Sequence, residues 1–271
     1  MDLENISDKG CYAIIIIPFV VTLIGFYNFL YFITIGYGLS LSLIGLSLII
    51  IYFNILNTIT LTLCIILIIY GIRLSSYLII REFCLKSYIQ TVQKDINRIN
   101  NYPTYINILS WIFCSLLYTA MTTPVYYNII NGGKELLSSY ISMGVIIIGF
   151  LMEIIADHQK TQAKKINPRR FVDSGLYRIV RCPNYFGEIL MWIGFFFSAI
   201  QIYNSLTQFF ISFTGLMTLI FIMFGGARRL ELRQDKNYGD MKEYKLYKAS
   251  VPIIIPFIPL YSVAKYSWLV G

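Results

Sequence analysis

The residues most able to do chemistry gather in one stretch, Ser174-Gly-Leu-Tyr-Arg-Ile-Val-Arg-Cys-Pro-Asn-Tyr-Phe-Gly-Glu-Ile-Leu-Met-Trp-Ile-Gly194. Two arginines, Arg178 and Arg181, precede Pro183, which can open a helix because its missing N–H would be unpaired in a first turn anyway. Asn184 and Glu188 follow one turn apart, on one face of that helix. An apolar run, Ile189 to Ile200, comes next. The pair thus lies where a basic loop meets a membrane, a depth at which polar groups are costly and read by default as functional.

Two further segments have the same character. Tyr70, Arg73, Tyr77 and Arg81 follow helical spacing and form one stripe. Glu153, Asp157, Lys160 and Lys164 form another, and Arg169 and Arg170 follow it. Glu153 and Asp157 are like charges at i, i+4, a destabilising pair unless a cation or ligand separates them. Carboxylates, guanidiniums and tyrosines at three helix ends suit a ligand with a phosphate-rich part and a greasy part. The planar fork of arginine grips two phosphate oxygens at once. Neither G-x-G-x-x-G nor a P-loop is present, so a nucleotide would sit in a helical crevice.

The elements that must position these groups are membrane helices. The chain is 57% hydrophobic and 13% charged, with mean hydropathy +0.65, against about 45–50% and 25% for a soluble domain. The excess falls in runs near the roughly 20 residues that cross a bilayer core. Seven spans are expected, at about 12–35, 39–56, 59–80, 105–127, 139–156, 186–203 and 206–226. The expected fold is an all-α, polytopic helix bundle forming one integral membrane domain over 1–271.

Lysines and arginines concentrate in segments 81–98, 157–181 and 228–248. With seven spans these share one side, which the positive-inside rule makes cytoplasmic, leaving the N-terminus outside or lumenal. This placement also argues against reading the net charge of +8 as a nucleic-acid surface. The acidic start, Met1 to Gly10, followed by a long apolar run, predicts no cleavable signal peptide. Five scattered cysteines without a Cys-x-x-Cys pair, and a single histidine, His158, indicate no metal site and no disulfide framework. Val251 to Leu260, broken by Pro252, Pro256 and Pro259, is expected to pack back on the bundle rather than cross the membrane.

Pro183-Asn-Tyr-Phe-Gly-Glu188, preceded by Gly-Leu-Tyr-Arg and followed by Trp192-Ile-Gly194, resembles the steroid 5-alpha-reductase family. The likeness is closest to a branch of small membrane proteins of unassigned substrate. The Arg73-x-x-x-Tyr77 face, Asp157 and the tail ending Ile255-Pro256-Phe257 are similar too, so the resemblance spans 65–257. It implies a seven-helix membrane reductase that saturates a carbon–carbon double bond of a lipid with NADPH. It places cofactor contacts at Arg73, Tyr77, Arg81, Asp157, Lys164, Arg170, Arg178, Asn184 and Glu188. Tyr70 would face the substrate, and Tyr70 and Glu188 are the implied catalytic pair. The chain departs from the pattern at three places. Cys182 stands where histidine is frequent, and Lys164 replaces an arginine. The second span has Asn54 and Asn57 but no acid.

In the expected reaction a conjugated enone lipid enters from the bilayer. The Tyr70 hydroxyl bonds the carbonyl oxygen, where negative charge grows as hydride arrives. The cofactor supplies the hard chemistry and the protein supplies position and charge. Two other readings stay open: an S-adenosylmethionine-dependent membrane methyltransferase, and a non-catalytic family member. The host membrane would be the endoplasmic reticulum in a eukaryote, or the inner membrane in a bacterium.

Overall fold

A computed structural model describes residues 3–84 and 103–269. Among these residues the chain forms eight α-helices, three short 3-10 helices and no strand. The α-helices are α1 Leu3–Val21, α2 Ile35–Tyr52, α3 Thr58–Cys84, α4 Thr104–Ile130, α5 Leu137–Ile166, α6 Pro183–Ser198, α7 Leu206–Tyr238 and α8 Lys242–Ser250. Lys86, Lys94, Asp95 and Arg98 of the first basic segment lie outside the described residues, as does the side chain of Arg81.

Six helical stretches are long and apolar enough to cross a membrane: Asp8–Phe26, Phe29–Tyr52, Thr58–Ile80, Thr104–Ile130, Leu137–Ile166 and Leu206–Tyr238. The protein is therefore an all-helical, multi-pass integral membrane protein, as expected. Two details differ from the expectation. The first span ends near Phe26, not residue 35, because Asn28 breaks the helix: its side chain accepts a hydrogen bond from the Leu30 N–H at 3.2 Å and caps a new 3-10 turn. The sixth expected span is α6, only 16 residues long. At 1.5 Å per residue that is about 24 Å, short of a hydrocarbon core of about 30 Å.

The chain divides into two compact units, residues 1–140 with 195–215, and residues 141–194 with 216–271. In the first, α2 and α3 touch backbone to backbone. A Cβ on Gly71 would lie 2.3 Å from the Gly38 carbonyl oxygen, and one on Gly45 would lie 2.8 Å from that of Cys64. Membrane helices lack a hydrophobic drive to associate and rely on such close packing and on polar bonds. Ser42 supplies one, donating to the carbonyls of Gly38 at 3.0 Å and Ile68 at 3.3 Å. α4 is bonded to α1 by the Trp111 indole N–H, which donates to the Phe19 carbonyl at 2.8 Å. The Thr119 hydroxyl adds a bond to Ile14 at 3.0 Å.

In the second unit α5 and α6 make the same kind of contact. A Cβ on Gly149 would lie 2.5 Å from the Gly187 carbonyl oxygen. The proline-broken tail packs back as expected. Backbone N–H groups of Arg181 and Cys182 donate to the carbonyls of Pro252 and Ile253, both at 2.9 Å. Ile253, Ile254, Val263 and Leu269 enter a core with Ile189 and Ala227.

Candidate functional site

The loop between α5 and α6 is folded against both its neighbours in the second unit. Gly175, at φ +62°, takes the left-handed turn that L side chains rarely adopt. Gln159 of α5 then accepts the Leu176 N–H at 2.9 Å. The Tyr177 hydroxyl reaches the Ala156 carbonyl at 3.3 Å. Tyr247 of α8 donates to the Tyr177 carbonyl at 2.7 Å, and its ring stacks on Phe171 with centroids 5.2 Å apart. Phe171, Val172, Tyr177 and Val180 are buried by these contacts, while Arg169, Arg170 and Arg178 stay exposed. The loop thus buries most of its apolar side chains and leaves three of its guanidiniums in solvent, while that of Arg181 is buried.

The second unit holds Asp157, Lys164, Arg170, Arg178, Asn184 and Glu188. Glu188 is buried and Asn184 half-buried, one turn apart near the start of α6. A Cβ on Gly187 would lie 2.9 Å from the Glu153 nitrogen, so the backbone beside Glu188 lies against that of Glu153. Glu153 is itself 4% exposed. Two helices therefore carry buried carboxylates past one another. Asp157, one turn beyond Glu153, is half-buried.

Lys164 is engaged by protein. Its ammonium donates to the carbonyls of Pro168 and Arg170 and, at 2.8 Å, to the Tyr238 hydroxyl. All three of its N–H donors are used, and it clamps the loop to α7. Arg170 is a more available cation. It pairs with Asp173 at 2.7 Å with both side chains well exposed, an arrangement worth about 0–1 kcal/mol and easily exchanged. Beside it, the end of α5 and the loop border an open hollow of about 490 Å³ whose lining includes His158, Gln162, Asn167, Arg170, Asp173 and Ser174.

Cys182, which stands where the resemblance favours histidine, is a neutral thiol. Burial pushes it up to about 12, so it offers neither imidazole chemistry nor a ready thiolate.

In the first unit Tyr70, Arg73 and Tyr77 form the expected stripe on α3. Tyr70 is wholly buried. It meets the Tyr37 ring edge-on at 6.3 Å, and Tyr37 stacks on Tyr118 at 4.9 Å. Arg73 lies over the Tyr77 ring, 5.6 Å from its centroid. Asn57 proves to be a helix cap: the Thr60 N–H donates to its side-chain oxygen at 2.9 Å, and its own N–H donates to the Thr60 hydroxyl at 3.0 Å.

Sequence reasoning missed a buried charge cluster. Arg181 pairs with Glu231 at 3.1 Å. Lys248 reaches Glu231 at 3.0 Å and Asp235 at 2.7 Å, and the Tyr244 hydroxyl donates to Asp235 at 2.8 Å. Burial opposes the charge on Lys248, yet its hydrogen bonds to Asp235 and Glu231 outweigh it and hold the ammonium above its ordinary value. The signal was available. Glu231 and Asp235 are one turn apart on α7, Tyr244 and Lys248 one turn apart on α8, and a tight turn joins the two helices.

Fold and site together define a helical membrane protein with ionisable groups held inside its apolar wall. The model of the DUF1295 family, described as a protein of unknown function, matches residues 22–251. The chain belongs to that family. No curated protein and no solved structure matches it.

Proposed function

We propose that this protein is a membrane reductase of the steroid 5-alpha-reductase type, using NADPH to saturate a carbon–carbon double bond of an enone lipid. The observation that carries the reading is the buried Glu188, with Asn184 one turn before it at the mouth of α6, on a helix packed through Gly187 and Gly149 against the one bearing Glu153. Ionisable groups are kept at such a depth for function rather than for stability.

The residues of the second unit fit a dinucleotide in part. Arg170 and Arg178 are exposed guanidiniums on one short loop, and the hollow beside Arg170 is of a size typical for ligand sites. Lys164 fits less well, since protein oxygens occupy its donors. Bound NADPH would supply hydride. Arg170 and Arg178 would hold phosphates, Asn184 and Glu188 would orient the nicotinamide end, and Arg73, Tyr77 and Asp157 would add contacts. The Tyr70 hydroxyl would donate to the substrate carbonyl. The host membrane is the endoplasmic reticulum or a bacterial inner membrane.

The deciding experiment is purification of the full chain in mild detergent, followed by mass spectrometry of what travels with it and by titration with NADPH. A co-purifying or saturably bound nicotinamide nucleotide is expected. Saturable binding of S-adenosylmethionine in its place would overturn the assignment in favour of a methyltransferase.

A further inference from the structure

The segment that follows α8 carries apolar side chains its own fold leaves uncovered. Phe257 is 96% exposed and Trp268 63%, and Ile258 and Tyr261 are exposed beside them. Residues 251–269 contain one lysine, Lys265, and no carboxylate. Phe257 is also the one non-glycine residue among those described with a positive φ, 65°. That left-handed region suits glycine and penalises a bulky side chain. A phenylalanine held there in the open gains nothing from packing inside the protein, and backbone outliers of this kind mark functional positions.

Both flanks of the segment are fixed by hydrogen bonds to the loop before α6 and to the charged end of α7. At one flank Arg181 and Cys182 hold Pro252 and Ile253 immediately before Pro183 opens α6. The Ile253 N–H donates to the Leu260 carbonyl at 2.9 Å and closes a hairpin. Its tip at Phe257 lies within roughly 13 Å of that closure at the reach of an extended chain. At the other flank the Val263 N–H donates to Glu231 at 2.9 Å, and Arg228 donates to the Ala264 carbonyl at 3.2 Å. Trp268 then stacks on Phe221, with centroids 6.0 Å apart. From Glu231 to Phe221 is about 15 Å along a helix. The tail therefore runs from the charged end of α7 onto its membrane-spanning part. Phe221 is 41% exposed on that span, so Trp268 extends the exposed apolar surface of a helix apolar enough to cross a membrane.

We propose that residues 251–269 form an interfacial anchor, seating Phe257 and Trp268 at the boundary between headgroups and acyl chains of the host bilayer. The indole of Trp268, apolar with one polar N–H, favours that depth, the hydrocarbon ring of Phe257 suits the acyl side of it, and phosphates lie beside it. Lys265, 5.0 Å from the Tyr266 ring centroid, supplies the matching cation. Pro256 and Pro259 bracket the tip and restrict its backbone. The occupant is lipid, because the uncovered surface continues that of a membrane span. The inference is independent of the reductase reading.

The test uses the full chain with a benzophenone amino acid in place of Phe257 or Trp268, reconstituted in nanodiscs of phosphatidylcholine and phosphatidylglycerol. After irradiation, phospholipid adducts are expected at both positions, several-fold above those at Leu246, an exposed residue of the polar helix α8. Adducts no more frequent than at Leu246, or cross-links to protein, would overturn the proposal. A second measurement replaces the bulky probe: the added emission of Phe257→Trp over Phe257→Gly should be quenched by lipids brominated near the headgroup. Emission untouched by brominated lipid but quenched by aqueous iodide would likewise overturn it.

Discussion

Arg181 and Glu231 form an ion pair of 3.1 Å with side chains only 1% and 0% exposed. The pair ties the loop that leads into α6 to the charged end of α7. Arg181 also donates to the Tyr261 carbonyl, while Glu231 accepts the Val263 N–H, so the same two residues hold the tail. Removing one partner leaves the other without its main countercharge, Glu231 with Lys248 alone or Arg181 with only the Tyr261 carbonyl, and breaking a buried pair in this way costs about 3–5 kcal/mol. Arg181→Met and Glu231→Gln should each lower the unfolding midpoint in detergent markedly. The double variant Arg181→Met/Glu231→Leu should lose less than the sum of the single changes. A sum equal to the double loss would show that the two side chains do not interact.

Gly187→Ala should destabilise the second unit. The new methyl would sit 2.7 Å from the Gly149 carbonyl oxygen and 2.9 Å from the Glu153 nitrogen, both backbone atoms that cannot turn aside. An overpacked contact of this kind costs about 1–3 kcal/mol. Gly144→Ala, on α5 with open space around it, is the matched control. Thermal unfolding of both variants in one detergent checks the difference, and equal midpoints would refute the backbone contact.

Alkaline pH should loosen the charge cluster before it affects the rest. Lys248 holds its proton more tightly in the fold than in the unfolded chain. Burial likewise raises the phenols of Tyr244 and Tyr247. A raised pKa in the folded state means that the fold binds more protons, so stability falls as pH rises. The stabilisation is present below the ordinary values near pH 10 and is lost as pH climbs through the higher folded ones. Unfolding midpoints measured from pH 8 to 11 should be level at first and then fall. In Lys248→Met the fall should be shallower, and an unchanged slope would remove Lys248 from the account.

Under the proposed reductase assignment, kinetics should separate Tyr70 from Glu188. Tyr70→Phe should lower kcat by about 10²–10³, the range for losing one oxyanion donor, with NADPH affinity nearly intact. Glu188→Gln should weaken NADPH binding itself. Unchanged turnover in Tyr70→Phe would remove Tyr70 from the site.

The spans were legible because their apolar runs match the thickness of a bilayer, a constraint strong enough to read without knowing any contact. The break at Asn28 was not, since one amide cap inside an apolar run leaves hydropathy almost unchanged. The stripe Tyr70, Arg73, Tyr77 followed from helical spacing, and its order on α3 is as expected. The Arg181–Glu231 pair was hidden because it joins residues 50 apart, a distance at which periodicity says nothing. Lys164 was a cofactor contact only by what the resemblance implies. Its actual partners are carbonyls of the following loop and a tyrosine of α7, which only the folded chain brings within reach.

The brevity of α6 has a consequence for the carboxylate it carries. A rod of 16 residues, about 24 Å long, cannot match an undisturbed hydrocarbon layer. Its side chains are largely covered by protein, so few of them meet acyl chains directly. Glu188, five residues from the first, lies only about 8 Å along the axis. A solute from the aqueous phase would have a short descent along this helix to reach that carboxylate.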